Sequence, residues 1–184
     1  MIDENGWYDK ARHVPSPFFD HRTDATDISL LVVHNISLPP GQFGGQYIEQ
    51  FFTGQLDPNE HPFFEVIHNM GVSAHCLIRR DGEVVQFVPF TARAWHAGVS
   101  SFAGRDKCND YSIGIELEGS DFVAYTDEQY QALTELTRQI QVSYPKITLP
   151  RITGHQYIAP LRKTDPGLVF DWGRFRGGLR PMEN

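Results

Sequence analysis

An α/β fold in one domain, with a central mixed β-sheet flanked by helices, is predicted by three local patterns in this 184-residue sequence. Residues 28–35, ISLLVVHN, are a continuous apolar run of strand length ending in polar residues, the pattern of a strand buried on both faces. Asp81 and Gly82 stand between strand-like runs at 73–80 and 83–87, and this dipeptide favours a two-residue hairpin turn, so the two strands should pair antiparallel. Tyr130, Leu133, Leu136, Ile140 and Tyr144 trace one stripe of a helix. Strands alternating with helices, with one hairpin among them, give a mixed sheet with helical cover, and the length suits one core rather than two.

Taken in order, residues 1–27 contain Pro15, Pro17 and many polar groups and read as an irregular arm laid over the domain. The strand at 28–35 delivers His34 to its carboxyl end. SLPPGQFGG then reads as a loop, 46–52 as a short helix, and 54–71, with His61 and His68, as irregular. After the hairpin, a loop rich in Gly, Ala and Ser leads to a strand at 111–118. There Ile113, Ile115 and Leu117 face one way, and Gly114, Glu116 and Glu118 the other. Thr126 and Gln129 form a capping box that starts the long helix, which Pro145 stops. Residues 151–153 make a short strand feeding ITGHQYIAPLRKTDPG at 152–167, read as an active-site loop because Pro160, Pro166 and Gly167 punctuate it. A helical turn is expected at 171–175, and a polar tail at 177–184.

Composition excludes several classes. Lys and Arg total 16 against 23 Asp and Glu, and the formal charge of −7 argues against nucleic acid, which calls for a cationic face. No apolar run is long enough to span a bilayer. The start, MIDENGWYDK, has no leader-like apolar stretch, so the expected place is the cytoplasm and the expected state a monomer. With only Cys76 and Cys108, neither a disulfide scaffold nor a thiolate zinc ribbon is available; both thiols read as structural, and a single bridge between them stays open.

His34, His155 and Asp165 each lie at or just after a strand end. Two imidazoles and a carboxylate leave one tetrahedral position open, as in zinc hydrolases, where bound water acquires a pKa near neutrality. Any one of the eight histidines is ordinarily a surface or hydrogen-bonded core residue, so the reading rests on the set. Ferrous iron can use the same donors, although no His-x-Asp/Glu pair occurs here. Glu116 or Glu118 could act as general base, and the pattern does not choose between them. Lys163 lies two residues from Asp165. In an extended segment the two side chains share a side, placing an ammonium where it could stabilise an oxyanion. His75, Trp95, His96, Arg105, Lys107 and Asn109 sit in or beside loops and are candidates for lining a sugar or peptide site.

The motifs GW at Gly6, VPSP at Val14, LLVVHNISLPPG at Leu30, SAHCLIRRDGE at Ser73, RAWHAGVS at Arg93, SIGIELEG at Ser112, GH at Gly154 and RKTDPG at Arg162 resemble the zinc-dependent N-acetylmuramoyl-L-alanine amidases of the amidase-2 type. Within that family, the similarity is to enzymes acting on 1,6-anhydro muropeptides. The resemblance implies a fold shared with peptidoglycan-recognition proteins, one amidase domain over 1–184, and one zinc on His34, His155 and Asp165. It further implies Glu116 as proton acceptor, Lys163 as transition-state stabiliser, and Asn35 and Lys107 as muropeptide contacts. The reaction implied is hydrolysis of the amide between anhydro-muramic acid and L-alanine, in peptidoglycan recycling, where such fragments influence β-lactamase induction. Relatives of this fold also include modules that bind wall fragments without cutting them. The sequence departs from the family at Gly71, where a basic residue is common, at Lys107, where arginine is common, and around Gln156, Tyr157 and Leu161.

Overall fold

The computed structural model describes residues 1–180. Two short strands, β1 (Arg12–His13) and β2 (Phe19–His21), precede β3 (Leu30–Ile36), and helices α1 (Tyr47–Thr53) and α2 (Pro62–Ile67) follow. The hairpin β4 (Cys76–Ile78) and β5 (Val84–Gln86) leads to β6 (Ala92–Ala94), to a small hairpin of β7 (Ser101–Phe102) and β8 (Arg105–Asp106), and to β9 (Ser112–Glu118). The chain continues through α3 (Asp127–Ser143), β10 (Ile152–Gly154), the one-turn helix α4 (His155–Ile158) and α5 (Trp172–Leu179). No helix among the described residues is long and apolar enough to cross a membrane.

The central sheet has six strands in the order β1-β5-β4-β9-β3-β10, all neighbours parallel except β4 and β5. The fold is therefore the expected mixed α/β arrangement. β3 and β9 are interior strands sharing seven paired positions, and residues of β3 from Leu30 to His34 and all of β9 are buried, as their near-continuous apolar pattern requires.

On one face, Leu31, Val33, Ile113, Ile115 and Leu117 pack beneath Leu133, Leu136 and Ile140 of α3 and Phe175 of α5. Thr126 caps α3 with the reciprocal bonds to Gln129 that the sequence predicts. On the opposite face the apolar cover divides. Leu77, Val85 and Phe87 pack against Ile48, Phe52 and Phe64 of α1 and α2, while Leu30 and Val32 pack with Ala97, Tyr111 and Ile158. The polar positions of β3 and β9 fall between these two clusters, and there the cleft forms.

Several local expectations need correction. The arm is not irregular throughout: β1 becomes the parallel edge strand beside β5, and β2 pairs antiparallel with β6. Such pairings join residues some seventy positions apart and leave no local periodicity. Arg22 pins the arm, donating to the carbonyls of Phe90, Asn109 and Ser112, and burial lowers its pKa to about 10. Within the stretch read as irregular, α2 starts at Pro62, with His61 accepting from the Phe63 amide. Six residues are too few for a periodic signature, and histidine is not a usual cap. The hairpin turn is longer than the two-residue form: Arg79 pairs with Glu83, and only Gly82 has positive φ, which fits a three-residue loop. The expected tail at 177–184 begins inside α5, and residues 181–184 lie outside the described residues. Cys76 and Cys108 are both free, buried in different apolar clusters, so the bridge left open by the sequence does not form.

Candidate metal centre and active site

Parallel register builds the centre of the cleft. His34 on β3 is paired with Glu116 on β9, so both side chains leave the same face of the sheet. β10 runs parallel on the other side of β3, with Gly154 opposite Val33, and the next residue, His155, opens α4 beside His34. The chain then turns back through 159–164 to bring in Asp165. The Asp165 carbonyl accepts from the Gln156 amide at 2.9 Å, and Tyr125 Oη donates to the Pro166 carbonyl at 2.7 Å. Gly154 allows this closure, since a Cβ there would lie 2.9 Å from Pro166 Cδ. The 152–167 segment is thus part strand and part helical turn, not a loop throughout.

Three donor atoms meet in a near-equilateral triangle. His34 Nδ1 lies 3.0 Å from His155 Nδ1 and 3.1 Å from Asp165 Oδ2, and His155 Nδ1 lies 3.0 Å from the same oxygen. Ligand distances of ~2.0–2.2 Å would set the donors of a tetrahedral metal site roughly 3.3–3.6 Å apart, close to these edges. His155 Nε2 sits 3.1 Å from the Ala97 carbonyl, which can only accept; that nitrogen therefore carries the proton, and Nδ1 offers a lone pair to the triangle. Burial depresses the His34 pKa to about 4, which keeps the ring neutral as a ligand must be. Burial pushes the Asp165 carboxyl upward, but its close contacts with His155 and His34 outweigh that and hold it below the usual range. The donor set fits a small divalent cation.

Glu116 is 8% exposed, with one oxygen 4.0 Å from His34 Nδ1 and the other, Oε2, buried without a hydrogen-bond partner among the described residues. Burial raises its pKa well above that of an ordinary glutamate; the Asp165 charge adds to the rise and Lys163 opposes it. Glu118 serves differently. Its oxygens accept from the amides of Gly44 at 2.6 Å and Arg80 at 3.2 Å, which ties down the loop after β3.

The surrounding cleft, about 630 Å³, is walled by Leu38, Phe51, Phe52, Phe63 and Ile67 on one side and by Arg162 and Lys163 on the other. Such a volume suits a small organic ligand. Lys163 lies in this wall and forms no ion pair with Asp165 among the described residues, because the backbone turns at 159–163 instead of running extended. Trp95 and Asn35 also line it. The Trp95 indole nitrogen is buried and has no partner among the described residues, whereas both Asn35 amide hydrogens are taken, by Asp121 Oδ1 at 2.9 Å and Tyr125 Oη at 3.0 Å.

Three candidates are placed elsewhere. His75 is wholly buried outside the cleft, its Nδ1 accepting from the Gly114 amide and its Nε2 donating to the Ala92 carbonyl. Arg105 pairs with Asp27 and stacks on Tyr111, and Lys107 is an exposed residue at positive φ that starts a 3-10 turn. None of the three lines the cleft. Conversely, Arg162, which opens the RKTDPG motif but receives no role from the sequence, lines the cleft and donates to the carbonyls of Ala97 and Val99.

Comparison with known proteins settles what this architecture belongs to. The family model for N-acetylmuramoyl-L-alanine amidase matches residues 24–168. The chain belongs to the N-acetylmuramoyl-L-alanine amidase family. This amidase is 62% identical over 176 residues to the 1,6-anhydro-N-acetylmuramyl-L-alanine amidase AmpD of Escherichia coli K12, covering 96% of each chain. Its fold matches the crystal structure of a selenomethionine AmpD derivative with a TM-score of 0.94 and 60% identity, over 98% of this chain and 100% of that one. AmpDH3 from Pseudomonas aeruginosa, in complex with anhydromuramic pentapeptide, is 26% identical with a TM-score of 0.64, over 97% of the amidase and 66% of that chain.

Proposed function

We propose that this amidase uses one zinc ion, held by His34, His155 and Asp165, to hydrolyse the amide between 1,6-anhydro-N-acetylmuramic acid and the L-alanine of a small muropeptide. The observation that carries the reading is the buried oxygen of Glu116, without a partner among the described residues, beside the triangle of donor atoms. AmpD of Escherichia coli carries that activity in its name, and AmpDH3 was captured with anhydromuramic pentapeptide. Zinc in a three-ligand site supplies Lewis acidity and a water of lowered pKa.

The chain's own residues do the rest. Glu116, with its raised pKa, takes a proton from the attacking water and can return it to the departing alanine nitrogen as the C–N bond breaks. Lys163 faces the cleft, where its ammonium offsets charge developing on the carbonyl oxygen. Trp95 and the apolar wall give the rest of the substrate a surface. Arg162, Lys163 and Trp95 all lie on the wall a bound fragment would touch, while Asn35 acts through Asp121 and Tyr125. A monomer acting in the cytoplasm, in peptidoglycan recycling, completes the proposal.

The test gives equal enzyme to anhydro-muramyl peptide, to the hydrated muramyl peptide and to purified sacculi, following free stem peptide by mass spectrometry alongside zinc content. We expect one zinc per chain and fastest release from the anhydro form. Equal rates on all three would refute the substrate preference, and zinc-loaded protein that binds fragments but cleaves none would replace the amidase reading with a recognition module.

A further inference from the structure

We infer that His96 is a positioning residue for the metal centre: it accepts the Nε2 proton of His34 and so holds that ring with its Nδ1 lone pair in the donor triangle. The inference rests on the zinc-amidase reading above and adds to it a residue outside the ligand set.

Four observations fix the His96 ring where it stands. His34 Nε2 lies 2.9 Å from His96 Nδ1, the two rings meeting edge-to-face at 88°. His96 Nε2 in turn lies 3.1 Å from Ser112 Oγ, on the strand that carries Glu116. The backbone of His96 and Ala97 is clamped by Asn109, whose side-chain oxygen accepts both amides, at 3.2 and 2.8 Å. Finally, the ring lies flat against β9 at Gly114, where a Cβ would come well under 3.0 Å from His96 Cγ. The same short segment thus serves both histidines, His34 through the His96 ring and His155 through the Ala97 carbonyl.

The polarity of the chain follows from the donor set. An imidazole that gives its Nδ1 lone pair to a cation keeps its proton on Nε2. His34 therefore donates to His96 Nδ1, which leaves the His96 proton on Nε2, directed at Ser112 Oγ. Partners of this kind fix the tautomer and orientation of a ligand, and their loss typically weakens metal binding by ~10–100-fold.

Two measurements test the assignment. In the zinc-loaded wild type, nitrogen-15 spectra of the imidazoles should place protons on Nε2 of both His34 and His96, with a hydrogen-bonded, slowly exchanging His34 proton at low field. A proton on His96 Nδ1, or a rapidly exchanging His34 Nε2 proton, overturns the inference without any variant. Zinc dissociation constants from chelator competition should weaken about 10–100-fold in His96→Ala. Recovery to within several-fold of wild type is expected in His96→Asn, whose side-chain oxygen can accept where Nδ1 did. Recovery in His96→Phe but not His96→Asn would show that the ring only fills space. Should His96→Ala not fold, Gly114→Ala, which displaces the ring, serves in its place: unchanged affinity would overturn the inference and weakened affinity would support it. Absence of zinc binding by the wild type would instead refute the parent reading.

Discussion

Replacing Glu116 with glutamine should make the metal-free protein more stable and the zinc-loaded protein nearly inactive. Glu116 places a carboxylate at 8% exposure with one oxygen unpartnered among the described residues and the Asp165 charge close by. An unsatisfied buried group costs about 1–3 kcal/mol and more when charged; glutamine keeps the shape and a polar tip but removes the charge, a difference on the order of 1–3 kcal/mol. In a chain of this size that corresponds to a rise in Tm of roughly 2–12 °C. The pH dependence has a definite sign. The native pKa of Glu116 is raised, so its contribution to stability is fully present below the ordinary glutamate value and is lost as pH rises through the native one. Thermal melts of chelated wild type and Glu116→Gln should therefore converge in acid and separate towards neutral pH, with the variant the more stable. Turnover at equal zinc occupancy should fall ~10²–10⁴-fold, the usual contribution of a general base. A variant that melts lower than wild type at neutral pH would refute the account of its burial. Unchanged turnover at equal zinc would refute its role.

Asp165→Ala removes one corner of the donor triangle and should abolish stoichiometric zinc and turnover together; retention of both, by metal analysis and stem-peptide release, would exclude Asp165 as a ligand. Lys163→Ala should keep the metal and lose about 10²–10³-fold in turnover, with stability little changed because the side chain is exposed. Glu118→Gln should show the opposite pattern. It trades an acceptor of the Gly44 or Arg80 amide for a donor, costing about 1–3 kcal/mol in denaturant melts, while folded, zinc-loaded protein keeps most of its turnover. A large loss of turnover without loss of stability would show that Glu118, too, acts in the chemistry.

The alternation at 112–118 placed Glu116 and Glu118 on one face, but it could not separate them, because a period of two says nothing about what lies across the cleft. Register separates them: Glu116 falls opposite His34, and Glu118 opposite Ile36 at the strand end, where the amides of Gly44 and Arg80 reach it. His75 and His96 looked alike as loop-side histidines. Both rings meet β9 at Gly114 and pack edge-to-face on each other, but His75 is wholly buried beneath Arg22, whereas His96 lines the cleft and touches His34. Arg105 and Lys107 shared the same signal as basic loop residues, and the β7–β8 hairpin carries them away from the cleft.

By itself the sequence determined those features whose cause is local: the buried strand ending at His34, the capped amphipathic helix α3, the β4–β5 pairing, and the concentration of ligand-type residues at strand ends. These depend on periodicity, capping and turn chemistry within a few residues of each other. Only the tertiary structure decided what depends on distant segments meeting. β1 became an edge strand because Arg12 lies beside Val85, and Asp165 reached His155 because Gly154 leaves room for Pro166. His96 reached His34 because Gly114 has no side chain to hold it off. In each case the deciding quantity is the space between two chain segments, which packing sets and no local pattern of residues contains.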